Sequence, residues 1–193
     1  MVIKDVKVCA KIDHYDDRLV VGKDGGIKNV VISLDSVSGG KSIDSLGTEF
    51  VLDQKICAYK PHILIVPVNQ QIMILNNDGI LHNIHTYGKL NRSVNLAQPR
   101  FKKKLKLTLE KPEKVQVRCD VHGWMSAWFI VVEHAYYTVT DSAGRFSLNG
   151  VPPGTYRLNI WQELLGEKSV QVTVTAGEES ELHFAFEEKK ESD

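Results

Sequence analysis

The chain has 193 residues with 24 basic and 24 acidic side chains, a formal net charge of zero. That balance excludes a field strong enough to gather nucleic acid or an anionic membrane surface. No apolar run approaches the roughly 18 residues of a membrane span, and the opening MVIKDVKVCAKI has no apolar core of a signal peptide, so the chain reads as a cytosolic protein or as a mature form with a start Met.

In chain order, almost every segment reads as strand. LIVPV and IMIL are short apolar runs bounded by turn residues, while KLKLTLE and KVQVRC alternate strictly, as half-buried strands do. In the second of these, Val115, Val117 and Cys119 share one face, because strand side chains alternate with period two. The thiol is therefore expected to point into a core, which suits a sheltered ligand and an inert buried cysteine equally. Later, DSAGRFSLNGVPPGTYRLNIW gives a turn, a short strand, a second turn and a strand with Tyr156, Leu158 and Ile160 on one face. SVQVTVTAGEESELHFAF repeats the pattern with Val170, Val172 and Val174, then Leu182, Phe184 and Phe186. QELLGEK allows one helical turn at most, and residues 188–193 read as a frayed tail. The expected class is all-β.

There are three cysteines, Cys9, Cys57 and Cys119. If Cys119 belongs to a metal, an even pair remains, and Cys9–Cys57 reads as a disulfide of an oxidising compartment or as two unrelated buried thiols.

CDVHGWM, Cys119 to Met125, sets a thiol, an imidazole and a thioether at three-residue intervals. Upstream, NNDGILHNIHTYG supplies His82 and His85 just after a strand and a turn. Two imidazoles and one thiolate in a plane, with a weak thioether on the axis, are the donors of a blue-copper centre. One histidine of the upstream segment with Cys119, His122 and Met125 makes that set. If His85 also bound, Cys119, His82, His85 and His122 would make a tetrahedral zinc site. His62 reads as a satisfied surface or strand-edge histidine, and His14, His134 and His183 have no ligand spacing.

LHNIH followed by Cys119, His122 and Met125 resembles the cupredoxins of the amicyanin and plastocyanin type, over roughly residues 56 to 133. The resemblance implies a Greek-key β-sandwich holding one copper ion in a type 1 site. It implies His82, Cys119, His122 and Met125 as ligands, Asn83 as the residue tying the two ligand loops, and His85 as a non-ligand beside them. It also implies electron exchange through an exposed edge of His122, ringed by Trp124 and Leu81. Two departures stand out: the family often has Pro where Leu81 stands, and Pro within the loop here formed by Asp120, Val121 and Gly123.

YTVTDSAGRFSLNGVPPGTYRLNIW resembles the carboxypeptidase regulatory-like, or transthyretin-like, β-sandwich, and GGIKNVVISL looks like that family's first strands. Asp141 and Gly144 form its hairpin turn, and Pro152, Pro153 and Gly154 the next. The expected layout is a cupredoxin at residues 53–133 inserted in a second, smaller sandwich made of residues 1–52 and 134–187. The competing layout has a continuous boundary near residue 134.

The functional expectation is a periplasmic or extracellular type 1 copper protein that exchanges single electrons with a redox protein partner. It is not expected to be an enzyme: no hydrolase triad, zinc-protease or phosphate-loop pattern occurs. The alternatives are a copper-delivery module without a redox partner, and a structural protein whose site holds zinc or nothing. The lysines of RFKKKLK would steer an acidic partner or simply form the solvated face of an edge strand.

Overall fold

A computed structural model describes residues 4–187; the tail expected to fray lies outside the described residues. One short helix, α1 (Val6–Cys9), precedes the strands. These are β1 (Val20–Val21), β2 (Ile27–Lys28), β3 (Val31–Leu34), β4 (Phe50–Gln54) and β5 (Tyr59–Lys60). Then follow β6 (Ile63–Pro67), β7 (Gln71–Asn76), β8 (His82–Tyr87), β9 (Asn95–Gln98) and β10 (Lys104–Thr108). The last are β11 (Glu113–Arg118), β12 (Ser126–Val132), β13 (Tyr137–Val139), β14 (Gly154–Gln162) and β15 (Gly166–Val174). The fold is all-β.

Two sheets, ordered β10-β7-β4-β5 and β6-β12-β11-β8-β9, face each other. Between them lies one core that includes Phe50, Leu52, Ile72, Ile74, Ile84, Val115, Val117 and Phe129. Strict alternation explains its walls. In β10 the pattern KLKLT buries Leu105 and Leu107 and leaves the lysines in solvent, on the edge of its sheet. The pairs β4–β7 and β6–β12 run parallel, and the other pairs of these two sheets are antiparallel.

A third sheet, ordered β13-β3-β14-β15, closes a second core around Val30, Ile32, Leu34, Tyr136, Leu158 and Ile160. Strand β3 pairs with β13 through Ser33 and Tyr137 and with β14 through Ile32 and Ile160. Residues 31–34 are thus joined to the C-terminal strands, while everything from β4 to β12 lies in the other two sheets. Strand β12 faces the first core on one side and the interface between the sandwiches on the other. Its odd residues Ala127, Phe129 and Val131 face the first core, while Ile130 and Val132 meet Val31 and Ile63 between the sandwiches. A strand covered on both faces needs a nearly continuous apolar run, and AWFIVV is one. Burying a side chain such as Phe129 contributes about 2–3 kcal/mol.

Three expectations need correction. Phe50 and Leu52 belong to the first core through β4, so that sandwich begins by residue 50 and not at 53. Cys9 also lies in the first core and Val8 packs against it, so the N-terminal segment covers the first sandwich and is not part of the second. Residues 145–149 and 181–187 form no strand; Phe146, Leu148, Leu182, Phe184 and Phe186 still pack into the second core, and Phe146 stacks on Phe184. The alternation there drives burial without producing a hydrogen-bonded ladder.

Candidate metal centre

The site lies at one end of the first sandwich, where β8 begins and β11 ends. His82 is the first residue of β8 and points inward; His85, three positions on, falls on the opposite face. Cys119 follows β11 directly and continues the inward row of Val115 and Val117. Beyond it the chain turns tightly, with Met125 N–H donating to His122 O at 2.9 Å and Cys119 N–H to Met125 O at 3.3 Å. This turn sets the three-residue spacing of Cys119, His122 and Met125 around one point.

The donors converge. Nδ1 of His82 is 4.0 Å and Nδ1 of His122 is 3.9 Å from Cys119 Sγ, and the two Nδ1 atoms are 3.0 Å apart. An ion bound to nitrogen at about 2.0 Å and sulfur at about 2.3 Å needs N–S and N–N separations of about 3.7 and 3.5 Å in a trigonal plane. His82 and His122 are fully buried, and Cys119 and Met125 nearly so. Met125 lies in the same core cluster as Cys119.

Each imidazole is held from behind by a carboxylate. Nε2–H of His82 donates to Asp78 at 2.9 Å, and Nε2–H of His122 to Asp5 at 3.0 Å. A carboxylate on one ring nitrogen fixes the ring and leaves the other nitrogen as the donor, the usual support for a metal-binding histidine. Asp78 is itself anchored by the N–H of Cys57 at 2.8 Å. Burial alone would lower the His82 pKa, but the bonds to Asp78 and Cys119 prevail and raise it. For His122 burial prevails and lowers it despite Asp5. Burial pushes the Cys119 thiol up, yet His82 and the surrounding donors bring it below its ordinary value. The pocket therefore eases loss of the thiol proton.

Asn83 joins the two ligand segments. Its Oδ1 accepts from Asp120 N–H at 2.7 Å, while its Nδ2 donates to Asn95 Oδ1 at 2.8 Å and to Asp120 Oδ2 at 3.0 Å. His85 faces away from the donor cluster. Its Nδ1 lies 3.1 Å from both oxygens of Asp120 and its ring stacks on Tyr87, which leaves no role for it in a four-nitrogen-and-sulfur zinc set.

The N-terminal segment changes one expectation outright. The His122 edge, expected to be exposed between Trp124 and Leu81, is buried beneath Asp5 and α1. Cys9, the last residue of α1, is bonded to Cys57, and both are fully buried. Trp124 donates to Cys57 O at 3.0 Å and meets the ring of His14 at 5.9 Å, while Leu81 remains exposed. Sequence reasoning missed Asp5 and Asp78. Asp78 carries a local signal, a carboxylate in the turn four residues before His82; Asp5 has one only through the Cys9 bridge.

His62, read as a satisfied surface or strand-edge histidine, is satisfied and precedes the edge strand β6, but it is buried. Its Nδ1 lies 3.1 Å from Ser126 O and its Nε2 is bonded to Glu163, whose other oxygen accepts from Trp128 Nε1 at 2.8 Å.

Residues 129–187 match the family model of the carboxypeptidase regulatory-like domain. No curated protein matches the sequence. Among solved structures, a Cu(I) form of an amicyanin variant is 16% identical, with a TM-score of 0.40 over 52% of this chain and 98% of amicyanin. An oxidised amicyanin variant is 18% identical with the same TM-score and coverage. The Cu-containing nitrite reductase of Thermus scotoductus SA-01 is 16% identical with a TM-score of 0.38, over 45% of this chain and 23% of the reductase. These likenesses are too distant to carry a function, so the reading below stands on the side chains.

Proposed function

We propose that the protein is a type 1 copper protein of an extracytoplasmic compartment that carries single electrons between redox partners and is not itself an enzyme. The observation that supports this best is the convergence of His82 Nδ1, His122 Nδ1 and Cys119 Sγ at 3.0 to 4.0 Å, buried from water beside Met125. Copper, when bound, supplies a one-electron couple. His82, His122 and Cys119 would hold the ion, and Met125 would offer its thioether as a fourth donor. Asp78 and Asp5 keep both rings oriented, with Nδ1 toward the ion. Asn83 fixes the distance between the strand bearing His82 and the loop bearing Cys119.

Full burial of the two histidines favours electron carriage over turnover, because a reacting substrate needs an open coordination position. The disulfide fits an oxidising compartment, and among the described residues no helix is long and apolar enough to cross a membrane. The partner is a redox protein that meets the surface only briefly, through a small contact.

Adding Cu(II) to the metal-free protein tests the reading. An intense band at the red end of the visible, absent in Cys119→Ser, is expected. Colourless copper that a chelator strips readily would point instead to a delivery module. Stoichiometric Zn(II) uptake without copper uptake would leave a structural protein.

A further inference from the structure

Cys9 and Cys57 stand outside the four-residue site, yet their sulfurs border it. The two Sγ atoms and a ring nitrogen of His122 all lie within 4.8 Å of one another, and all three residues are fully buried. Cys57 Sγ is also within 4.8 Å of a carboxylate oxygen of Asp78 and a ring nitrogen of His82. A disulfide placed only to tie α1 down has no need to touch both histidines of the centre.

We propose that Cys9 and Cys57 in their dithiol form make, beside His122, a second soft-metal site that takes Cu(I) and is closed when the disulfide forms. Reduction breaks the Sγ–Sγ bond and adds two electrons and two protons, supplied by a dithiol reductant that becomes a disulfide. Cu(I) then displaces the two protons and is held by the two thiolates.

The backbone keeps both cysteines in place without the sulfur bond. Cys57 N–H donates to Asp78 at 2.8 Å and Cys57 O accepts from Trp124 at 3.0 Å. Cys9 N–H donates to Asp5 O at 3.0 Å and Cys9 O accepts from His14 Nε2 at 2.8 Å. With metal–sulfur bonds of about 2.3 Å, two thiolates in line on one ion stand about 4.6 Å apart. Rotation about the Cα–Cβ bonds reaches that spacing, since the Cα atoms are 5.2 Å apart. Thiolates select soft ions, and a two-thiolate set suits Cu(I) better than zinc, which takes four ligands in structural sites.

The role of this site rests on the copper reading above; its existence does not. His122 Nδ1 belongs to the inner donor set, 3.9 Å from Cys119 Sγ, and its ring borders the two sulfurs. An ion captured by the dithiol therefore lies next to the inner centre, and closing the disulfide removes the outer ligands.

The test uses the full chain, prepared with the disulfide intact and fully reduced with a phosphine, thiol counts verifying each state, and Cu(I) titrated against a coloured chelator. The reduced chain is expected to hold twice the copper of the disulfide form, and that copper to block alkylation of Cys9 and Cys57. In Cys119→Ser the reduced chain keeps the extra equivalent although the inner centre is lost, so the two readings fail separately. Equal copper in the two states, or alkylation of Cys9 and Cys57 at the metal-free rate, overturns the proposal. So does an extra equivalent that survives in Cys9→Ser/Cys57→Ser. If that variant does not fold, the comparison of the two states of the unmutated chain still decides.

Discussion

Asp5 accepts a hydrogen bond from His122 Nε2 at 3.0 Å, although 117 residues separate them and the imidazole is completely buried. With copper in the proposed site, the negative charge behind the ring would favour Cu(II) over Cu(I), because it stabilises the higher positive charge in front. Asp5 is itself partly exposed, so the effect is screened. Asp5→Asn is expected to raise the reduction potential by about 40 mV, the one-electron equivalent of about 1 kcal/mol. Voltammetry of the copper-loaded variant checks this; an unchanged or lower potential contradicts it.

Asn83 carries bonds from the strand of His82 to Asp120 and Val121 in the loop of Cys119, and one to Asn95 of β9. Asn83→Ala leaves the amide N–H of Asp120 without its partner and lets the two ligand segments drift. The expected loss is about 2–3 kcal/mol in urea unfolding of the metal-free protein. Because such supports typically govern affinity, copper should bind about 10- to 100-fold more weakly. Wild-type affinity alongside lowered stability would show that the ligands are positioned independently of this residue.

Glu113 gathers the loop at residues 89–91, accepting from the N–H groups of Lys89, Leu90 and Asn91. Burial alone would raise its pKa, but these donors prevail and hold it below 4.5. A carboxyl with a depressed folded pKa contributes stability that is present above its unfolded value and lost as pH falls through the folded one. The melting temperature is therefore expected to fall below about pH 4.5, and to fall less steeply in Glu113→Gln, whose stability at neutral pH is lower. Parallel melting curves for the two proteins across that range would refute the assignment.

Glu163 is buried between the two sandwiches, bonded to His62 and Trp128. His62→Ala removes one partner and leaves a carboxylate in an apolar interface, for an expected cost of about 3 kcal/mol in denaturant midpoint measurements. The double variant His62→Ala/Glu163→Leu is expected to recover most of this, since no charge then remains buried. Additive losses in the double variant would mean that the two residues act separately.

The strands and the donors were legible because both follow short rules. Period-two alternation placed Val115, Val117 and Cys119 on one inward face, and the same rule separates His82 from His85. The tight turn after β11 is local, so its C-x2-H-x2-M spacing could be read directly. What escaped was set by distant chain segments. The cover over His122 comes from Asp5, whose place depends on where Cys57 receives α1. The burial of His62 escaped because its partner Glu163 lies 101 positions away. The strands expected near Phe146 and Phe184 show the opposite failure. Their alternation sends side chains into the second core, but alternation alone does not supply a neighbouring backbone to bond.

The pairing of Ser33 with Tyr137 sets an order on how the protein is made. As the chain leaves the ribosome, β3 emerges with neither of its neighbours and must keep a mostly apolar stretch, wholly buried in the end, from sticking elsewhere until the entire first sandwich has been synthesised. The first sandwich can form early and draw its two ends together, so that β3 and β13 meet across a short gap instead of a long free loop.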